Sequence, residues 1–156
     1  MTSSSPNGAQ SRDRAERLAR ILSERILILD GAMGTMLQRY KLDEAAFRGQ
    51  LFQDHPKDLK GDNDLLCLTQ PEIVAEVHRA YFDAGADVAT TNTFNGTAIA
   101  QREYGLDAFA YEISRAAARI ARAEAEAAQA RDPSRPRFVA GSLAPTNRTA
   151  SISPEV

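Results

Sequence analysis

Three short apolar runs, each ending in polar or glycine-rich residues, constrain the fold of this chain most strongly. They cover residues 26–29, 86–94 and 137–143, and polar groups stand at their ends, at Asp30, at Asn92 and in residues 144–149. A run of four apolar residues is too short for an amphipathic helix and is typical of a buried strand. Helical patterns separate the runs, which predicts parallel strands joined by right-handed crossovers.

Helical periodicity is predicted in five segments, which are residues 11–24, 33–40, 71–84, 95–104 and 106–131. The third is the clearest, because Pro71 suits a helix start and Gly85 suits a helix stop. Residues 41–70 have no regular pattern, and a loop of that length is usually functional or held by neighbouring parts. The N-terminal tail, residues 1–14, is small and polar and is predicted to be disordered.

This order of elements permits two α/β architectures. One is a small open sheet, and the other is the N-terminal part of a larger (β/α)8 barrel. Three strands cannot close such a barrel, which needs eight strands and about 250 residues. Both architectures bind ligands beyond the carboxyl ends of parallel strands. The polar residues that follow each apolar run, here called the strand exits or polar exits, lie at these ends.

Composition excludes several classes of function. The 156 residues carry a net charge of -2, which gives no sign of nucleic-acid or membrane-surface binding. The single cysteine, Cys67, cannot form an internal disulfide and fits a reducing compartment, so we expect a cytoplasmic protein. Cys67 has no partner at metal-ligand spacing and is predicted to be a buried apolar residue. His78 lies off the apolar stripe of its helix and is predicted to be solvated.

The polar exits contain the candidate site residues. Asp30 either binds a ligand or caps the turn into the next helix, and the local pattern does not separate these two roles. Gly31 and Gly34 would let the backbone turn tightly or approach a ligand closely. Asn92 favours a ligand role, because asparagine is disfavoured within strands.

Four segments resemble the homocysteine S-methyltransferase family. Residues 30–38 (DGAMGTMLQ) and 91–94 (TNTF) are similar to the first two strand exits of its barrel. Residues 61–66 (GDNDLL) and 145–154 (PTNRTASISP) resemble the family's cobalamin-dependent methionine synthases. The resemblance implies the N-terminal part of a (β/α)8 barrel, with residues 15–156 as a partial homocysteine-binding domain.

The resemblance also implies a chemistry. Methylcobalamin, recharged by 5-methyltetrahydrofolate, would give its methyl group to homocysteine, whose sulfur is bound to zinc as a thiolate. Metal coordination deprotonates a thiol and leaves it nucleophilic. The implied homocysteine-binding residues are Asp30, Gly31, Ala32, Met33, Gly34, Asn92 and Thr93.

Roles follow for most of these residues. Asp30 would receive the ammonium group of homocysteine. The backbone N–H groups of residues 32–34 would face its carboxylate, as in anion sites at helix starts. Asn92 and Thr93 would line the floor of the pocket.

The family's zinc is held by three cysteines in the later half of the barrel, and Cys67 matches none of them. We therefore expect no catalytic residue and no metal ligand within residues 1–156. We expect this segment alone to be inactive and poorly stable, because its strand edges are open, and we expect folate- and cobalamin-binding domains to follow it. Two alternatives are a thiol methyltransferase that uses betaine or S-methylmethionine, and a module that binds an amino acid without turnover.

Overall fold

The computed structural model describes residues 6–146, which form seven α-helices, two short strands and two 3₁₀ turns. The helices are α1 (Pro6–Glu24), α2 (Met33–Gln38), α3 (Glu44–Arg48), α4 (Leu66–Thr69), α5 (Pro71–Asp83), α6 (Ala98–Gln101) and α7 (Ala110–Arg131). The strands are β1 (Val88–Thr90) and β2 (Phe138–Ala140), and the 3₁₀ turns are Asn63–Leu65 and Asp107–Phe109. None of these helices is long and apolar enough to cross a membrane.

The strands are parallel, as predicted, but shorter than predicted. β1 pairs with β2 in the register Val88 to Phe138 and Thr90 to Ala140. On the other side of β1, the first apolar run forms only one bridge, from Leu29 to Val88. This run still lies along β1, because the Asp30 N–H donates to the Val88 carbonyl at 2.8 Å. The spatial order is therefore first run, β1, β2, with all three running in the same direction.

The first apolar run is not buried, so that part of the prediction is wrong. Ile26 is 83% exposed, and Ile28 and Leu29 are also more than half exposed. A continuous apolar run indicates a strand that is covered on both faces. Among residues 12–146, whose burial the structure describes, no element covers these side chains, although their apolar character matches a buried barrel strand.

The core has two buried clusters. The larger one packs α5 and α7 against α4 and the segment before it, and the smaller one packs α5 and α7 against the strands. On α7 the buried positions recur at helical spacing and are occupied by small residues after Ile113. These residues are Ala117, Ala121, Ala125 and Ala128. Small side chains on this stripe let α7 approach its neighbours closely. Cys67 is buried in the same core, as predicted.

His78 is buried, which contradicts the prediction that it is solvated. Its side chain is fully buried, and neither ring nitrogen has a hydrogen-bond partner among the described residues. Val74 and Phe82 lie one helical turn before and after it, and both are buried. The apolar stripe in the sequence predicts one buried face on α5, whereas α7 and β1 cover the helix from two sides. Burial lowers the pKa of His78, which favours the neutral ring.

Several other boundaries differ from the predictions. Helix α1 begins at Pro6 and so includes residues 6–14 of the predicted disordered tail. The segment 41–70 contains short helices rather than irregular chain alone. Asp43 caps one of them, since its side chain accepts from the Ala46 N–H at 2.9 Å. Phe109, an apolar residue of the predicted helix 106–131, is 40% exposed rather than buried.

A buried carboxylate ties the amino-terminal edge of the strands together. Asp87 is fully buried and accepts from both terminal nitrogens of Arg25, each at 2.8 Å. The Ile28 N–H donates to the same carboxylate at 3.0 Å, and Arg137 lies 3.6 Å from it. The Arg25 guanidinium is the main reason that the pKa of Asp87 falls to about 2. In barrel folds this edge serves stability rather than chemistry.

Gly85 ends α5 as predicted, with a φ of 104°. Its N–H donates to the Phe82 carbonyl, and the Ala86 N–H donates to the Tyr81 carbonyl, which is the Schellman pattern. We expect Gly85→Ala to lower the free energy of unfolding by about 1–2 kcal/mol, because an L-residue is strained at this φ. Urea denaturation measures this loss. The control is Gly141→Ala, where an added Cβ meets no atom within 4 Å, so equal losses in both variants would contradict the assignment.

Candidate functional site

A pocket of about 320 Å³ lies at the carboxyl ends of the first apolar run, β1 and β2. This is the edge at which barrel and open α/β folds bind ligands. The residues that line it come from all three exits and from the segment before α4. They are Gly31, Met33, Gly34, Gly61, Asn63, Asp64, Thr90, Thr91, Asn92, Phe94, Asn95 and Ser142.

Four of the seven predicted site residues line this pocket, namely Gly31, Met33, Gly34 and Asn92. The other three, Asp30, Ala32 and Thr93, lie next to lining residues in the chain but do not line the pocket themselves. The structure therefore brings the two predicted strand exits together. The homocysteine-binding roles assigned to these residues remain predictions.

Asp30 bonds to the neighbouring strand and does not cap the following helix. Its carboxylate accepts from the Thr90 N–H and from the Thr90 hydroxyl, both at 2.9 Å. The N-cap residue of α2 is Ala32, and no side chain caps that helix. Of the two roles left open by the sequence, the capping role is not the one found. Because Thr90 lines the pocket, the Asp30 carboxylate lies directly beside it.

The glycines of the first exit do not serve a left-handed turn. Neither Gly31 nor Gly34 has a positive φ. A Cβ added at Gly31 would come within 3.4 Å of the Tyr81 hydroxyl, and one at Gly34 within 3.5 Å of the Asn63 amide nitrogen, which are ordinary contacts. The tight-turn interpretation is thus not supported. Both glycines line the pocket, which leaves close approach to a ligand as the remaining interpretation.

Hydroxyl groups join the second and third exits. The Ser142 N–H donates to the Thr91 hydroxyl oxygen at 2.9 Å, and the Thr93 hydroxyl donates to the Ser142 carbonyl at 2.9 Å. The two threonine hydroxyl oxygens are 2.7 Å apart. Because the Thr93 hydroxyl hydrogen is donated to Ser142, the Thr91 hydroxyl is the donor in its bond to the Thr93 oxygen. Thr93 therefore holds the pocket wall in place rather than facing its interior.

Asn92 connects the second exit to the segment before α4. Its side-chain amide donates to the Asn63 carbonyl at 2.7 Å and lies 3.5 Å from the Cys67 sulfur. Asn92 is 6% exposed, so this amide is held in a fixed position. Burial raises the pKa of the Cys67 thiol to about 12, which keeps it protonated.

The structure adds pocket residues that the sequence reasoning did not assign. The most informative are Asn63 and Asp64, because they come from the segment 41–70, which has no strand pattern. The signal for them in the sequence is the GDNDLL motif, which forms part of the resemblance but implies no role by itself. Asp64 is a carboxylate placed directly before two buried leucines, which is unusual unless the group has a function or a partner.

Asp64 is buried without a cation. It is 2% exposed, and its Oδ1 accepts from the Asn95 N–H at 3.2 Å. Burial is the first cause that raises its pKa, to about 7, and the neighbouring Asp62 is the second. Asp62 is equally buried, and its Oδ1 accepts from the Gln101 amide at 3.0 Å. No Lys, Arg or His of the described residues pairs with either carboxylate.

We expect Asp64 to make the free energy of unfolding decrease between about pH 5 and 6.5. The folded protein holds the Asp64 proton up to about pH 7, whereas the unfolded chain releases it near the ordinary aspartate pKa. The folded state therefore binds more protons in this window, so raising the pH destabilises it by about 2 kcal/mol. Urea titrations at both pH values should show this loss in the wild type and a smaller one in Asp64→Asn. Equal pH slopes would contradict the assignment.

The described residues do not fit a zinc site. No group of three or more His, Cys, Asp and Glu side chains in residues 12–146 is placed to hold a metal ion. The protonated, buried Cys67 is also unsuited, because metals bind the thiolate.

Comparison with known proteins decides the family. A model of the family described as homocysteine S-methyltransferase matches residues 27–156. The chain belongs to this family. The match covers both predicted strand exits and every residue that lines the pocket.

Two solved structures of the homocysteine methyltransferase MmuM from Escherichia coli are similar to this chain. The metallated form has 29% sequence identity and a TM-score of 0.63, and the match covers 82% of this chain and 41% of that protein. The oxidised form has 30% identity and a TM-score of 0.65, covering 82% of this chain and 40% of that protein. The chain thus spans about two fifths of the length of these proteins. Its described residues form part of a (β/α)8 barrel, which confirms the predicted fold class.

Proposed function

We propose that the protein transfers a methyl group to the sulfur of homocysteine, giving methionine. Family membership supports this reaction class. The observation that carries the proposal is the pocket at the strand exits, lined by Gly31, Gly34 and Asn92. These residues belong to the DGAMGT and TNTF segments on which the resemblance to the family rests.

The pocket suits an amino acid that carries a thiol. Asp30 would receive the ammonium group from its position beside Thr90. The N–H groups of residues 33 and 34 lie in the first turn of α2, where backbone donors have no intrahelical acceptor, and would face the carboxylate. Asn92 is fixed by Asn63 and would bound the floor of the pocket. Zinc would be held by residues outside this part of the barrel.

For the methyl donor we propose methylcobalamin, recharged by 5-methyltetrahydrofolate through further domains of the same polypeptide. This proposal depends on the PTNRTASISP segment, most of which lies outside the described residues. Betaine and S-methylmethionine are the alternative donors within the family.

The experiment offers homocysteine and each donor separately to the full-length protein. Methionine should form with methylcobalamin or with 5-methyltetrahydrofolate plus cobalamin, and not with betaine or S-methylmethionine. Methionine formation with either of the latter would replace the proposed donor. Calorimetry with and without zinc tests the non-catalytic alternative, because tight binding of homocysteine without zinc and without turnover would indicate a binding module.

A further inference from the structure

Among the described residues that line the candidate pocket, Asp64 is the only one with an ionisable side chain. The Asn95 N–H donates to its Oδ1, and no side chain of the described residues donates to either of its oxygens. The group is nevertheless 2% exposed. Its carboxylate therefore faces a cavity of ligand size while most of its hydrogen-bonding capacity is unused.

The surroundings of Asp64 lack positive charge. The titratable groups that interact with it are Asp62, Cys67 and Tyr104. The thiol and the phenol are neutral, because burial raises the pKa of each. Asp62 is a second buried carboxylate, and its Oδ2 has no partner within the described part of the chain. A buried carboxylate without a counter-ion is costly, and a cationic group in the cavity would remove that cost.

We propose that Asp64 determines substrate specificity by accepting a hydrogen bond from the ammonium group of the amino-acid substrate. This inference rests on the proposed function. An ammonium group has three N–H donors, which is enough to bond to more than one carboxylate. Asp30 already accepts two hydrogen bonds from Thr90, whereas Asp64 accepts one, from the Asn95 N–H, and so has more unused acceptor sites. The pocket thereby selects thiols that carry an α-amino group.

The test compares homocysteine with 4-mercaptobutanoate, which has the thiol and the carboxylate but no amino group. In the full-length protein, Asp64→Asn keeps the side-chain volume and an acceptor for the Asn95 N–H. We expect it to raise the KM for homocysteine about 10- to 100-fold and to leave the KM for 4-mercaptobutanoate unchanged. The control is Asp83→Asn, which removes a carboxylate that is more than half exposed and does not line the pocket, and it should change neither KM.

Equal changes in both KM values for Asp64→Asn, or no change in either, would overturn the inference. The unmodified protein gives a second measurement that does not depend on the variant's folding. Calorimetry in buffers of different ionisation enthalpy should show that homocysteine releases more protons on binding than 4-mercaptobutanoate near pH 6.5, and equal release would count against Asp64. A wild-type protein that methylates no homocysteine would instead refute the proposed function.

Discussion

Replacing Asp87 with alanine is expected to lower the free energy of unfolding by about 3–5 kcal/mol. The substitution removes the partner of Arg25 and leaves Arg137 buried without its nearby carboxylate. Arg137 is only 7% exposed, so its charge cannot be hydrated in place of the lost contact. It also removes the acceptor for the Ile28 N–H, which helps to hold the first apolar run beside β1. Chemical denaturation monitored by circular dichroism measures the effect.

The matched control is Asp83→Ala. Asp83 also pairs with an arginine, at 2.6 Å from Arg131, but both side chains of that pair are more than half exposed. Exposed pairs contribute little, so a loss below about 1 kcal/mol is expected. If the two variants lost similar amounts of stability, burial would not be what makes the Asp87 cluster important.

Asp30→Ala is expected to raise the KM for homocysteine about 100-fold in the full-length protein. The variant removes a charged acceptor beside the pocket, and a hydrogen bond to a charged group contributes about 1.5–3 kcal/mol. It also releases the Thr90 hydroxyl, which lines the pocket and now bonds to Asp30. Steady-state kinetics with homocysteine varied at saturating methyl donor measures the change.

Asp30→Asn tests the effect of the Asp30 charge separately from the effect of its hydrogen bonds to Thr90. The amide oxygen can still accept from Thr90, so the strand exits should remain joined while the charge is lost. We expect a KM between those of the wild type and Asp30→Ala. Unchanged KM and kcat in Asp30→Ala would show that Asp30 does not bind the ammonium group and only links the two exits.

Local patterns predicted the elements that depend on short-range physics. The start at Pro71 and the stop at Gly85 are set by a missing N–H and a positive φ, which are properties of single residues. The parallel strands followed from alternation with helices. The position of the site at the strand exits followed as well, and Asn92 is where this reasoning placed it.

The remaining differences come from contacts between distant segments. His78 is buried because α7 and β1 both cover α5. The sequence of α5 alone does not show that two other elements pack against it. Asp64 joins the pocket because the segment before α4 is held by Asn92, which lies far along the chain. The bond between Asp30 and Thr90 likewise depends on which strands are neighbours.

The burial of Cys67 has a practical consequence for thiol chemistry on the native protein. Cys67 is the only cysteine in these 156 residues, and it lies against Asn92 with its proton retained. Maleimides and iodoacetamide react with the thiolate, so they should modify Cys67 only after unfolding. Rapid labelling of the folded full-length protein would therefore report on cysteines outside this segment. If a metal ion bound those cysteines and slowed their labelling, the change would be measured without a contribution from Cys67.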